Sequence, residues 1–227
     1  GDQPFGIHGI HGRTLPIAFG VKMGNPNLNT VVVAGDGDFL SIGAEHIGPA
    51  ANRNINMTAI VMDNGVYGLT KGQSSPTTDL GQITTSTPFG KIENSVIPLK
   101  NYLTIGVSYI ASYYSSKPKI LAQYMQEAMN HKGFSIVHVM SPCTTYNDTY
   151  QVLKGNPKEG IKGLAYEIPE DYDPTNIDQA QKLVNSPGIP LGLVYKNELD
   201  TIEERFSFMK EKAKIQTNEE ILNSYSI

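Results

Sequence analysis

Two short stretches of this chain carry side chains whose types and spacing suit the binding of a cation and a phosphate. The first is Gly35-Asp36-Gly37-Asp38 and the second is Asp63-Asn64-Gly65. Asp36 is a hard anionic oxygen ligand between two glycines, which lack a β-carbon and so let the backbone turn tightly and come close to a ligand. Asn64 offers a neutral amide oxygen of the same hard character. N–H groups at the start of a helix opening at Asp38 favour a phosphate. Two other readings fit less of the pattern. A dinucleotide fingerprint, G-x-G-x-x-G, needs glycine at position 40, where Leu40 stands. A phosphotransferase with Asp36 as nucleophile and Asp38 as acid accounts for neither Gly35 and Gly37 nor the second stretch.

For these residues to meet, strands must deliver them to one edge of a sheet. Val31 to Val33 is a β-branched apolar run stopped by glycine, as expected of a buried parallel strand. Asp38 to about Asn52 has the apolar spacing of a helix, and Thr58 to Met62 makes the strand that sets Asn64 beside Asp36. Ahead of them, Leu15 to Met23 predicts a helix with Pro16 in its first turn. Pro98 to Ile105 and Pro118 to Asn130 read as helices, and Tyr109 to Tyr113 and Phe134 to Met140 as strands, with Gly133 as a helix stop. Ser74 to Ser95 is rich in Ser, Thr, Gly and Pro and reads as a long loop that covers a site or meets a partner. Further on, Asp178 to Asn185 suggests a helix, Leu191 to Tyr195 a strand, and Thr217 the cap of a final helix with Glu219 and Glu220 in its first turn. The order predicts an α/β fold with a parallel sheet covered by helices on both faces. We expect residues 1–146 to form the cofactor-binding core, and residues 147–227 an extension packing on the core or on partner subunits.

GDG at Gly35 to Gly37, closed by Asp63-Asn64, resembles the thiamine diphosphate signature. With HGRTLPIAFGVKMGNPN at His11 to Asn27, YGLTKGQSSPT at Tyr67 to Thr77 and MSPCTTYND at Met140 to Asp148, the chain is similar to the β subunit of the 2-oxoacid:ferredoxin oxidoreductases. The resemblance implies a thiamine diphosphate-binding fold of the diphosphate type. It makes Asp36 and Asn64 side-chain ligands of Mg2+ and Val66 a ligand through its carbonyl. It sets Gly35, Gly37, Asp38, Gly68, Leu69 and His11 against the cofactor, Gly37 and Asp38 through their N–H groups. The usual ending of the signature is Asn-Asn, so Asp63 departs from it at a position that is not a ligand, and a buried, hydrogen-bonded role is expected there.

The same resemblance puts Lys71 at the carboxylate of a 2-oxoacid, with Leu69 lining that pocket and limiting side-chain size. It makes Cys143 one ligand of a 4Fe-4S cluster, with the other three cysteines in a segment ahead of Gly1, removed by truncation or left out through disorder. Each of these residues also has a plainer reading. His11 beside glycines suits a satisfied turn residue as well as a phosphate contact, a loop lysine is commonly just solvated, and a lone cysteine is commonly a buried small hydrophobe. His46, about two turns beyond Asp38, is expected to pack in the helix, and Arg13 to be structural or interfacial.

At 227 residues and 39% apolar content the chain can bury a core of ordinary domain size. Its net charge of −4 gives no reason to propose nucleic acid or a membrane surface. No apolar run approaches the ~20 residues that span a bilayer and no basic-then-apolar leader opens the chain, so a cytoplasmic protein is expected. One cysteine excludes an internal disulfide. In thiamine enzymes an activating glutamate sits on a separate pyrimidine-binding domain, and this chain is too short to hold both domains. An α subunit would supply that glutamate and much of the contact to 2-oxoacid and coenzyme A, with electrons leaving to ferredoxin. Two alternatives remain open, a thiamine-dependent decarboxylase subunit without a redox cluster and a non-catalytic assembly subunit of the same fold.

Overall fold

The structure, a computed structural model, describes residues 5–213 and 216–225. Helix α1 (Thr14–Gly24) leads to strand β1 (Val31–Gly35), then α2 (Ile47–Arg53) and β2 (Met57–Asp63). A small hairpin, β3 (Val66–Tyr67) and β4 (Gln73–Ser74), is followed by the long loop, α3 (Pro98–Thr104), β5 (Tyr109–Tyr114), α4 (Pro118–Asn130) and β6 (Phe134–Met140). The remainder holds α5 (Tyr150–Lys154), a second small hairpin of β7 (Gly155–Asn156) and β8 (Ile161–Lys162), β9 (Ala165–Glu167), α6 (Ile177–Asn185), β10 (Ile189–Lys196), α7 (Ile202–Lys212) and α8 (Asn218–Ser224). Both α7 and α8 start at capping boxes, Thr201 with Glu204 and Thr217 with Glu220.

Six strands form one sheet in the order β1-β2-β6-β5-β10-β9. The pairs β1–β2, β2–β6, β6–β5 and β9–β10 are parallel, whereas β10 runs antiparallel to β5. The sheet is therefore mixed and dominated by parallel strands, and β10 with its parallel neighbour β9 runs against the other four, a departure from the all-parallel expectation. Residues beyond Tyr146 supply β9 and β10, so the C-terminal part completes the central sheet.

The four central strands bury side chains on both faces, which is why they read as unbroken apolar runs. On one face Leu15, Ile47, Leu99, Tyr102, Leu183 and Val194 pack with Phe39 and Ile136. On the other, Leu121 and Ala128 of α4 meet Tyr109, Tyr113, Val137 and Val139. At the amino edge Asn54, in the left-handed region at φ 45, ties the layers together. Its Oδ1 accepts from the Ser108 hydroxyl (2.7 Å) and the Phe134 N–H (3.0 Å), and its Nδ2 donates to the Leu199 carbonyl (3.0 Å). Gly133 sits over this knot at φ +125, where a β-carbon would fall 2.3 Å from Asn54 Oδ1. Gly133→Ala is thus expected to destabilise the fold by more than ~1 kcal/mol, seen as a lower denaturation midpoint, because Asn54 is held on three sides and the backbone angle disfavours any side chain.

Asp38 to Asn52 does not form one helix. It folds as a π turn (Asp38–Ile42), a 3-10 turn (Ala44–His46) and then α2. The Gly43 N–H reaches back five residues to the Asp38 carbonyl (2.9 Å), and Pro49 has no N–H to offer the carbonyl of residue 45. The Arg13 guanidinium clips the end of the π turn by donating to the Ile42 carbonyl (3.0 Å), a structural role as expected. His46 lies in the 3-10 turn, partly buried, 3.5 Å from Glu45.

Candidate cofactor site

Because β1, β2 and β6 are adjacent and parallel, Asp36, Asn64 and the segment leading to Cys143 leave the sheet side by side at its carboxyl edge. The Ser141 N–H donates to the Asp63 carbonyl (2.7 Å), extending the β2–β6 ladder past the strand ends. This is where ligands of open α/β sheets bind.

Asp36 is 1% exposed. Its Oδ1 receives only a long contact from the Asn64 N–H (3.4 Å), and its Oδ2 lies 2.7 Å from the Thr77 hydroxyl. Burial, and then the neighbouring Asp63 charge, push the Asp36 carboxyl above the usual carboxylate range. Asp63 is better served. Its Oδ1 accepts from the Gly65 N–H and faces the Thr77 hydroxyl, each at 2.9 Å, and its Oδ2 is 3.0 Å from His138 Nε2. Burial works to raise this carboxyl too, but the His138 contact, its charge, and the Thr77 and Gly65 hydrogen bonds outweigh it and hold Asp63 below its ordinary value. His138 is itself buried, with Nδ1 3.3 Å from the Tyr102 hydroxyl. Asp63 is the buried, hydrogen-bonded residue expected from its place in the motif.

Asn64 Oδ1 accepts the Val66 N–H (3.0 Å), which closes the turn and leaves a second lone pair on the amide oxygen. Among the described residues no group of three or more His, Cys, Asp or Glu side chains could hold a metal ion. A cation here would use one carboxylate with amide and carbonyl oxygens, the hard donor set that suits Mg2+ alongside substrate phosphates. The residues fit that group, since Asp36 is a buried carboxylate with one weak N–H donor and one hydroxyl.

The first turn is shaped by Tyr67, whose hydroxyl donates to the Gly37 carbonyl (3.1 Å). A β-carbon on Gly37 would meet the Tyr67 ring at 2.3 Å, so the packing requires glycine there. Asp38 is turned away from Asp36. Its Oδ1 accepts from the Gly12 N–H (2.6 Å) and pairs with His11 Nδ1 (2.7 Å), while its Oδ2 is buried without a partner. His11 therefore reaches the first turn through the Asp38 side chain, and its ring is half exposed. Gly35 has space around it, and Gly68 lies against Asn64 Nδ2.

Leu69 and Lys71 sit at the tip of the β3–β4 hairpin. Leu69 is 99% exposed. Lys71 takes the left-handed conformation at φ 79, its N–H donating to the Gly68 carbonyl (3.1 Å), and its side chain is exposed. Cys143 is half-buried beside the second turn. Asn147 links the two, with its N–H on the Cys143 carbonyl (2.8 Å) and its Nδ2 on the Asn64 carbonyl (2.9 Å). Thr77, Tyr67 and Asn147 lie within the stretches that carry the family resemblance, but no spacing there singles them out, and His138 lies outside those stretches. Of these only His138 carries a signal, as the one ionisable residue in the apolar strand Phe134–Met140.

Residues 3–139 match the family described as thiamine pyrophosphate enzyme, C-terminal TPP binding domain, and residues 143–211 match the family described as the C-terminal part of the pyruvate ferredoxin oxidoreductase beta subunit. The 2-oxoacid:ferredoxin oxidoreductase subunit beta of Saccharolobus solfataricus is 38% identical over 216 residues, 89% of this chain and 69% of that protein. The chain belongs to the β subunits of the 2-oxoacid:ferredoxin oxidoreductases. A second relative, the 2-oxoglutarate synthase subunit KorB of Archaeoglobus fulgidus, is 41% identical over 179 residues, covering 78% of this chain and 67% of that one. A solved structure of the 2-oxoglutarate:ferredoxin oxidoreductase from Magnetococcus marinus, with 2-oxoglutarate, coenzyme A and succinyl-CoA bound, superimposes with a TM-score of 0.86 at 36% identity. The match covers 96% of this chain and 74% of that one. Membership in this β-subunit family fits the position of the two turns, and among the described residues no helix is long and apolar enough to cross a membrane.

Proposed function

We propose that this β subunit grips the diphosphate and Mg2+ of thiamine diphosphate for coenzyme A-dependent oxidative decarboxylation of a 2-oxoacid, with electrons passing through a 4Fe-4S cluster to ferredoxin. The observation that carries the reading is the pairing of buried Asp36 with the Asn64 turn on adjacent parallel strands. When bound, thiamine diphosphate supplies the thiazolium carbon that adds to the ketone and takes up the electron pair left by CO2. The chain's own contribution is to bind and orient. Asp36 and Asn64 hold the cation, with the Val66 carbonyl as a third oxygen. The Gly37 and Asp38 N–H groups meet the diphosphate, and the Asp38 carboxylate fixes the His11 ring beside them. Gly35, Gly68 and Leu69 border the cofactor.

The site is completed by an α subunit that bears the pyrimidine domain and the activating glutamate. The long loop supports this, since Ile83, Phe89 and Ile92 stand fully or largely exposed on it. Leu69 and Lys71 on the exposed hairpin tip then face a pocket closed by that partner. Cys143, the one cysteine of the sequence, is one of four cluster ligands, and residues 1–146 carry the cofactor turns while the segment that follows completes their sheet with β9 and β10. Equilibrium binding of thiamine diphosphate with and without Mg2+ tests the reading, and affinity that ignores Mg2+ would overturn it. Lys71→Ala is expected to raise KM for the 2-oxoacid about tenfold or more, in line with a charge-assisted contact of ~1.5–3 kcal/mol, while cofactor affinity holds. Weaker cofactor binding with KM unchanged would move Lys71 to the diphosphate.

A further inference from the structure

Lys91 is 5% exposed, and its ammonium makes an unusual set of contacts for a buried cation. Nζ donates to the carbonyls of Ser75 (3.1 Å), Pro76 (3.1 Å) and Thr78 (2.8 Å), so all three donors end on backbone oxygens of one short loop. No carboxylate pairs with it among the ion pairs of the described residues. Burying an ammonium costs a great deal unless every donor is met, and here the loop backbone wraps the charge to meet them. Other bonds close the same wrap, from the Ser95 hydroxyl to the Thr78 carbonyl (2.7 Å) and from the Val96 N–H to the Pro76 carbonyl (2.9 Å). The Thr78 hydroxyl then reaches the Gly65 carbonyl in the second turn.

The wrapped loop places Thr77 Oγ1 2.7 Å from Asp36 and 2.9 Å from Asp63, on neighbouring strands. Resting on the reading of Asp36 as a cation ligand, we propose that Lys91 and Thr77 form one positioning device. The buried ammonium folds the Ser75–Thr78 loop, and the loop sets the Thr77 hydroxyl between the two carboxylates before the cation arrives. Two buried carboxylates repel each other, and the single hydrogen of the hydroxyl lies between their facing oxygens. With this geometry fixed in advance, cation binding does not have to order the turn, and affinity rises by that saving.

The test titrates Mg2+ into the assembled enzyme at a fixed thiamine diphosphate concentration that does not saturate it without Mg2+, and reads bound cofactor by equilibrium dialysis. Removing a group that orients a metal ligand weakens affinity by about ten- to a hundredfold, and Thr77→Val and Lys91→Met should each fall in that range. Thr77→Ser keeps the hydroxyl and should restore near wild-type affinity. The double variant Lys91→Met/Thr77→Val should be no weaker than the weaker single one, because both remove the same device, whereas independent effects would multiply. Wild-type affinity in Thr77→Val, failure of Thr77→Ser to restore it, or multiplied losses in the double variant would each overturn the proposal. If Lys91→Met does not fold, the two Thr77 variants decide alone. Asp36→Asn separates the device from the cation reading beneath it: if this variant keeps Mg2+ affinity the cation reading itself fails, and if it loses affinity while Thr77→Val does not, only the positioning device fails.

Discussion

Asp36→Asn is expected to lower Mg2+-dependent affinity for thiamine diphosphate by about a hundredfold or more, ~2.7 kcal/mol, with the fold as stable as wild type or more so. The two halves of this result have one origin. Asp36 is buried, receives one long N–H contact and faces Asp63 across the Thr77 hydroxyl, and both burial and the Asp63 charge disfavour its ionised form. A neutral side chain of the same shape removes that unfavourable charge and so does not weaken the cation-free protein. The same charge is what a hard divalent cation requires, so its loss falls on binding. Dialysis with labelled cofactor and a thermal melt, run on the same preparation, check both halves. Undiminished cofactor affinity would reassign the turn. Asn64→Ala should weaken binding less, since a neutral oxygen is removed.

Cys143→Ser is expected to leave the single-turnover release of CO2 from the 2-oxoacid in place while reduction of ferredoxin falls to background and iron content drops, measured on the assembled enzyme prepared without oxygen. One thiolate of four belongs to this residue on the proposed reading, and serine is a poor substitute for it. The fold has no need of the sulfur. Cys143 lies beyond the end of β6, half-buried, and its carbonyl accepts the Asn147 N–H whichever side chain it bears. Iron content and ferredoxin reduction equal to wild type would make Cys143 a packed small residue and remove the electron-transfer half of the proposal.

The parallel core is legible where its strands are buried on both faces, so that Thr58–Met62 and Phe134–Met140 read as strands. Val31–Val33, expected to be buried, instead forms the edge strand β1 with Val31 and Val33 exposed on one face, and is legible only through its β-branched run. Strand direction is not, since an apolar run reads alike both ways, and β10 turns against β5 with nothing in Leu191–Tyr195 to announce it. The helix expected over Asp38–Asn52 fails for local reasons, Gly43 and Pro49, that apolar spacing overlooks. Helix α7 has a readable start in Thr201-Ile202-Glu203-Glu204, a capping-box pattern that apolar spacing also leaves aside. At the site, Asp36 and Asn64 stand out through the glycines beside them. Thr77 and Lys91 do not, because a threonine among serines and threonines, and a lysine in a polar loop, look like solvated surface until the chain folds over them.

Gly65 and Asn147 also bear on how sequences of this kind can drift. Gly65 has φ +69, and a β-carbon there would come 2.7 Å from Asn147 Nδ2, the same amide that holds the Asn64 carbonyl. Any larger residue at 65 must therefore be matched by a shorter one at 147, which in turn releases the carbonyl it held and loosens the Gln82 contact on the other side of that amide (3.0 Å). A side chain at 65 should appear across lineages only where 147 is shortened, whereas a change at 147 alone makes no demand on Gly65. A residue more than eighty positions downstream thus inherits its constraint from the turn beside the cation ligands.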